Sequence, residues 1–412
     1  MSPTILPPSR AVARLDGLTG LRFFAAIYVV AFHYATPALV GAPRAVLNIA
    51  LSGYVAVDFF FILSGFILAY NYLKPDGVLK GTKRQFWLAR FARIYPAYAL
   101  SFLICMPFAL RELLRAEPVG TALYHFCRSL GVAGVMQQSW LPWMAMWGNA
   151  PAWSLSVEAF FYLVFPLLAP LVGRLSLRAC VPALLAMWLV GLAVPTAYVV
   201  KDHVSPEHTT APGEPAWAPG TPVERPWLAT SARSHGLVAD DFRSMTTPLA
   251  RLPEFLVGVL LGRLLLGASA AQRRRAGRCV VPALLSIVGL LAMSDHIPKP
   301  ILRNGLLAPL FCVVIFGMSG GGSWLERVLS KKAFVPLGEA SYGAYILQTP
   351  LANLLAFEGG SLLGFFAYAV LLVAVSLLSF FKIETPARKF LMSRLGAPRD
   401  LAPVPFAPSR AA

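Results

Sequence analysis

Arg22 and His33, separated by ten residues of one apolar stretch, frame the chemistry open to this chain. On a helix they stand about 16 Å apart along the axis. An imidazole deep in such a stretch, with carboxylates at matching depth, makes an acid/base set around a wetted cavity. Asp58 in Val57-Asp58-Phe59-Phe60-Phe61 and Glu158 in Trp153-Ser154-Leu155-Ser156-Val157-Glu158 are the candidate carboxylates. Arg90-Phe91-Ala92-Arg93 sets two guanidinium groups on one helix face, where their planar forks suit phosphate. Each residue also has a structural reading. The acids and His33 fit an ion-pair network, and Arg22 can snorkel to an interface. The arginine pair fits positive-inside anchoring, and Ser64-Gly65 fits close helix packing.

The elements that must position these residues are membrane helices. Of 412 residues, 57% are hydrophobic and 13% charged, against about 25% charged in a soluble domain. The apolar residues come in long runs, and about 20 in a row cross a bilayer core. Soluble, disordered and fibrous classes are excluded, and the expected fold class is all-α, a polytopic membrane helical bundle. Ten spans are expected, near 18–40, 51–72, 93–110, 153–172, 180–200, 247–267, 280–294, 304–319, 334–357 and 361–383. The stretch 119–138, interrupted by His125, Arg128 and Gln137-Gln138, reads as re-entrant or interfacial.

With both termini cytoplasmic, most of the 36 lysines and arginines fall on the inner side. The net charge of +17 then reflects topology and not nucleic-acid binding. That orientation sets Arg22, Arg90 and Arg93 at the inner ends of their spans, and His33, Asp58 and Glu158 towards the outer face. The Pro-rich segment 201–246 is expected to be an irregular outer loop, and its His203, His208 and His235 fit no metal-ligand spacing. The five cysteines form no CxxC pair, so neither a disulfide framework nor a zinc site is indicated. The first apolar stretch lacks a cleavage pattern and reads as a signal anchor, and no internal repeat is visible.

In this order the motifs resemble the acyltransferase 3 family of integral-membrane O-acyltransferases. The likeness runs from Leu15-Asp16-Gly17-Leu18-Thr19-Gly20-Leu21-Arg22-Phe23-Phe24 through Asp58-Phe59-Phe60-Phe61-Ile62-Leu63-Ser64-Gly65 and Arg90-Phe91-Ala92-Arg93. It continues through Trp153-Ser154-Leu155-Ser156-Val157-Glu158 to Ser341-Tyr342-Gly343-Ala344-Tyr345. The resemblance implies a membrane domain over 1–384, a cytoplasmic tail over 385–412, and a multi-pass protein of the inner membrane. It implies transfer of an acyl group, usually acetyl, from acyl-CoA (acetyl-CoA or another) to a hydroxyl of a carbohydrate or glycosylated acceptor. An exopolysaccharide, a lipopolysaccharide O-chain, a glycolipid and a macrolide-like product are all open. With so short a tail, the acceptor is expected to be handled by the membrane domain and the 201–246 loop.

By the same resemblance His33, Glu158 and Asp58 are the expected catalytic residues, and Arg22, Arg90 and Arg93 hold the donor. Ser64, Trp153, Ser154 and Tyr342 serve substrate binding or structure, and no metal is called for. His33 would act as general base or relay, with Glu158 or Asp58 fixing its tautomer. The chain departs from the pattern at Gln348, where many members place a histidine. A transporter with the same intramembrane charges is the alternative, and a glycosyltransferase using a lipid-linked sugar is a third. Transporters commonly carry paired half-sequences, which this chain does not show.

Overall fold

A computed structural model describes residues 15–74, 76–141, 144–201 and 244–395. His203, His208 and His235, most of the expected 201–246 loop and residues 396–412 of the tail lie outside the described residues. Within them the protein is all-helical, with one isolated bridge between Leu73 and Leu79. The first seven helices are α1 (Asp16–Tyr34), α2 (Arg44–Leu51), α3 (Val55–Tyr72), α4 (Lys83–Ala116), α5 (Val119–Gly134), α6 (Ala152–Gly173) and α7 (Leu177–Lys201). After the Pro-rich segment come α8 (Pro248–Gly267), α9 (Ala270–Gly277), α10 (Val280–Ala292) and α11 (Lys299–Gly317). The last three are α12 (Trp324–Leu329), α13 (Phe334–Leu355) and α14 (Leu362–Arg394).

Among the described residues, seven helices are long and apolar enough to cross a bilayer, or eight if α9 and α10, bent by 41°, form one broken span. The expected runs 247–267 and 334–357 fold as α8 and α13, of 20 and 22 residues, but are too polar to pass on composition. Arg251, Glu254 and Arg263 interrupt the first, and Glu339, Ser341 and Gln348 the second. The stretch 119–138 becomes α5, whose 16 residues reach about 24 Å, short of a hydrocarbon core of about 30 Å. The expected run 93–110 is the middle of the 34-residue α4. Its start is set by a capping box, with Thr82 and Gln85 satisfying each other's backbone N–H.

Burial separates the helices into a centre and a rim. Of the most apolar window of α3, 78% is buried, against 6% for α7, so α3 is a core helix and α7 faces the surroundings. Two apolar clusters meet on α3, one drawing in α1, α4, α6, α13 and α14, the other α10 and α11. Glycines let the central helices approach at backbone distance. A Cβ on Gly65 would strike the Phe255 carbonyl, and one on Gly258 the Ile62 carbonyl, so α3 and α8 touch along their main chains. The same device joins α1 to α13, where Gly338 lies against the main chain of Thr19.

Gly258→Ala should therefore destabilise the α3–α8 contact by about 1–3 kcal/mol, the usual penalty of overpacking. Gly289→Ala on α10, where an added Cβ meets open space, should instead stabilise by about 0.5–1 kcal/mol. Thermal unfolding of the purified protein in detergent reads both, and equal midpoints for the two variants would contradict the assignment.

Candidate active site

α1 presents His33 to α13, where its Nδ1 lies 2.8 Å from Gln348 Oε1. His33 is half-buried, while Gln348 is fully buried and held from several sides. The Gln348 Nε2 donates to the Tyr345 carbonyl at 2.7 Å. Its main-chain carbonyl accepts the phenols of Tyr34 and Tyr368, at 3.3 and 2.5 Å. Pro350 has no N–H, so the Ile346 carbonyl loses its helical donor, and Asn149 Nδ2 replaces it at 2.9 Å. The expected carboxylate partner of His33 is absent: no charged side chain acts on it among the described residues. A neutral amide stands where a Glu or Asp was anticipated.

Arg22 of α1 and Arg93 of α4 belong to a second cluster, within electrostatic reach of each other and of Glu339, Glu158 and Tyr162. Glu384 of α14 also faces Arg93. Both arginines are half-buried, and neither has a hydrogen bond or a close ion pair among the described residues. Arg90, only 5% exposed, lies between two aromatic rings. Its guanidinium is 5.2 Å from the Tyr72 ring and 5.8 Å from the Tyr162 ring, and its Nη2 donates to the Tyr72 hydroxyl at 2.9 Å. Its Nε is buried with no partner. Glu158 belongs to this cluster and not to His33. Its Oε1 accepts from Ser64 Oγ at 3.0 Å and from the Tyr162 hydroxyl.

Asp58 lies elsewhere again. It is fully buried against Arg251 of α8, whose Nη2 donates to Asp58 Oδ1 at 2.5 Å. The Gly305 N–H donates to Oδ2 at 3.2 Å. The other Arg251 arm reaches the Arg303 carbonyl at 2.8 Å, Asn304 Oδ1 at 2.5 Å and Glu254 Oε1 at 3.1 Å. These partners exist because α11 breaks at Asn304 and Gly305, the latter at φ +94°, which suits glycine and frees backbone groups inside the bundle. The expectation that Asp58 joins His33 is thus corrected: Arg251 claims its Oδ1 and the Gly305 N–H its Oδ2.

The remaining candidates make helix-to-helix contacts. Trp153 packs edge-on against Phe61, and its carbonyl accepts from Ser139 Oγ at 2.6 Å. Ser154 Oγ pairs with the Tyr345 hydroxyl at 2.7 Å, and the Tyr342 hydroxyl donates to the Ile94 carbonyl at 2.7 Å. Sequence reasoning missed Glu339, Glu384, Tyr162, Arg251 and the pairing of Gln348. The first two and Arg251 were open to the argument already used for Glu158, that an ionisable residue inside an apolar run is costly and so has a reason.

A family profile described as an acyltransferase domain (acyltransferase 3) matches residues 15–381. The acyltransferase MdmB of Streptomyces mycarofaciens is 28% identical, over 97% of either chain. The peptidoglycan O-acetyltransferase OatA of Listeria monocytogenes is 24% identical, over 91% of this chain and 56% of its own. The O-acetyltransferase OatA of Staphylococcus aureus is likewise 24% identical, over 91% of this chain and 57% of its own. The chain thus spans little more than half the length of the two O-acetyltransferases. No solved structure matches it.

Arg251→Met would leave Asp58 buried without its cation, which typically costs about 3–5 kcal/mol. The double variant Asp58→Leu, Arg251→Met removes both charges and should regain most of that loss. Thermal midpoints in detergent decide it, and a double variant as weak as the single one would dismiss the pair as the clamp described.

Proposed function

The chain belongs to the acyltransferase 3 family, and on that premise we propose that it moves an acyl group, acetyl first among candidates, from acyl-coenzyme A to a hydroxyl of a carbohydrate or glycosylated acceptor. The protein is a multi-pass membrane protein, and in this reading it sits in the cytoplasmic membrane with the arginine cluster facing the cytoplasm. The relatives' names support O-acetyl transfer, with peptidoglycan as the acceptor in one of them. The observation that carries the reading is the pair Arg22 and Arg93, two guanidinium groups inside the bundle that make no hydrogen bond or close ion pair among the described residues, although the carboxylates of Glu339 and Glu158 lie within electrostatic reach. Guanidinium donors without a hydrogen-bond partner call for water or an anionic ligand, and the guanidinium fork binds phosphate in bidentate fashion. Arg90, stacked between Tyr72 and Tyr162, adds a third cation at the same end. Glu158 takes the role of positioning Ser64 and Tyr162 beside the arginines, and Asp58 is left out of the chemistry.

In this reading the pantetheine arm carries the thioester from the arginine cluster along α1 towards His33. There the imidazole takes the proton of the acceptor hydroxyl as its oxygen attacks the thioester carbonyl. The tetrahedral intermediate collapses with cleavage of the C–S bond, and the departing thiolate takes the proton from His33. Ester and free coenzyme A thiol are the products, and the imidazole returns to its starting state.

Membranes carrying the protein, supplied with radiolabelled acetyl-coenzyme A, should transfer label to a glycan or glycolipid fraction. His33→Ala should lower the rate about 100-fold or more, since a general base contributes about 10²–10⁴. Arg93→Ala should raise the donor KM about 10- to 100-fold, the worth of about 1.5–3 kcal/mol for a charged hydrogen bond. A folded His33→Ala protein acetylating at the parent rate, or transfer independent of coenzyme A, would overturn the proposal.

A further inference from the structure

We infer that Gln348 is a positioning residue for His33: it holds the imidazole as the neutral Nδ1–H tautomer and so leaves the Nε2 lone pair free to accept the substrate proton. The inference rests on the proposed role of His33 as general base. Its warrant is geometric. An amide and an imidazole 2.8 Å apart admit two arrangements, with either the amide oxygen or the amide nitrogen facing Nδ1. The second contact of the amide removes one of them. The Tyr345 carbonyl can only accept, and it lies 2.7 Å from the far end of the Gln348 amide. That end is therefore the NH2 group, since an oxygen there would set two acceptors against each other. The end facing His33 is Oε1, which has no proton to give. Nδ1 must then carry the hydrogen, and Nε2 must be the basic nitrogen.

Side chain and backbone of Gln348 are both anchored, so the amide is not free to flip. The residue has no solvent exposure, and its carbonyl is gripped by Tyr34 and Tyr368. Tyr345, whose carbonyl sets the amide's orientation, is itself held by Ser154 at 2.7 Å and by the Pro151 carbonyl at 3.2 Å. Ser154 therefore bears on His33 through Tyr345 and Gln348. A glutamine does here by hydrogen-bond direction what a carboxylate does elsewhere by charge, without adding an ion to the buried site.

The test compares Gln348→Leu, which lacks any acceptor, with Gln348→Glu, whose buried carboxylic acid in its protonated form restores both the acceptor towards Nδ1 and a donor towards the Tyr345 carbonyl. The measurement is transfer from radiolabelled acetyl-coenzyme A into acceptor fractions of membranes carrying the full chain, with protein level and thermal midpoint read in parallel. Gln348→Leu should lower kcat about 10- to 100-fold with the donor KM unchanged, as loss of an orienting partner commonly does. Gln348→Glu should recover the greater part of that loss. In the background His33→Ala, adding Gln348→Leu should change the rate by less than about 2-fold, because a residue acting through His33 has nothing left to orient. Parent-like kcat in Gln348→Leu, or a further full drop in the double variant, would overturn the inference. If His33→Ala itself transfers at the parent rate, the base assignment fails instead. If Gln348→Leu does not fold, the Gln348→Glu protein decides alone: a folded variant more than 10-fold impaired counts against the inference.

Discussion

Arg251 is 1% exposed and carries a charge that the surrounding helices must satisfy. Asp58 from α3, Glu254 one turn along α8, and the carbonyl and amide groups of the break in α11 all converge on it. A buried guanidinium with five donors tolerates few omissions, so these three helices have one arrangement that works. The glycine contacts between α3 and α8 follow the same demand. Only backbone-to-backbone approach brings Asp58 and Arg251, on separate helices, within hydrogen-bonding distance.

With α3 fixed on that side, its other faces are free for a different task. Ser64 stands six residues beyond Asp58, about 240° around the helix, and meets Glu158 of α6 rather than anything on α8. The clamp thus sets the rotation of α3 and, through Ser64, the Glu158 carboxylate beside the arginine cluster. α1 and α13 supply the complementary pair of rails. They run side by side in the same direction, touching at Thr19 and Gly338 near one end and at His33 and Gln348 near the other. Arg22 and Glu339 occupy one end of these rails, and the imidazole and its amide the other.

The separation of these two ends was legible in the sequence, because Arg22 and His33 lie on one helix and a helix has a fixed rise. So was the all-helical membrane class, which needs only the length of the apolar runs. Partner assignment was not. Matching depth suggested that Asp58 and Glu158 would meet His33, but depth says nothing about which way a residue faces around its helix. That direction was decided by Arg251, whose demand for a carboxylate is invisible until α3 and α8 are seen in contact. Gln348 was noticed only as a departure, since an uncharged side chain raises no cost argument of the kind that marks an intramembrane acid. The break in α11 was hidden likewise. Asn304-Gly305 is an ordinary turn signal, and only the buried groups it serves explain its place inside an apolar run.

The resulting distribution of charge bears on how acyl transfer can run. The carboxylates that act on Arg22 and Arg93 are gathered at one end, whereas His33 meets the neutral amide of Gln348, itself held by the phenols of Tyr34 and Tyr368 and the Tyr345 carbonyl. In the proposed reaction the anionic part of the donor stays where the cations are, and only the neutral thioester advances. A proton taken up by His33 creates a cation with no carboxylate to neutralise it, in surroundings of low dielectric. Such a cation is short-lived by energetics alone. It discharges onto the nearest developing anion, which is the thiolate released as the C–S bond breaks. A neutral orienting partner therefore favours a base that returns its proton within one turnover, whereas a buried carboxylate would favour an imidazolium that persists.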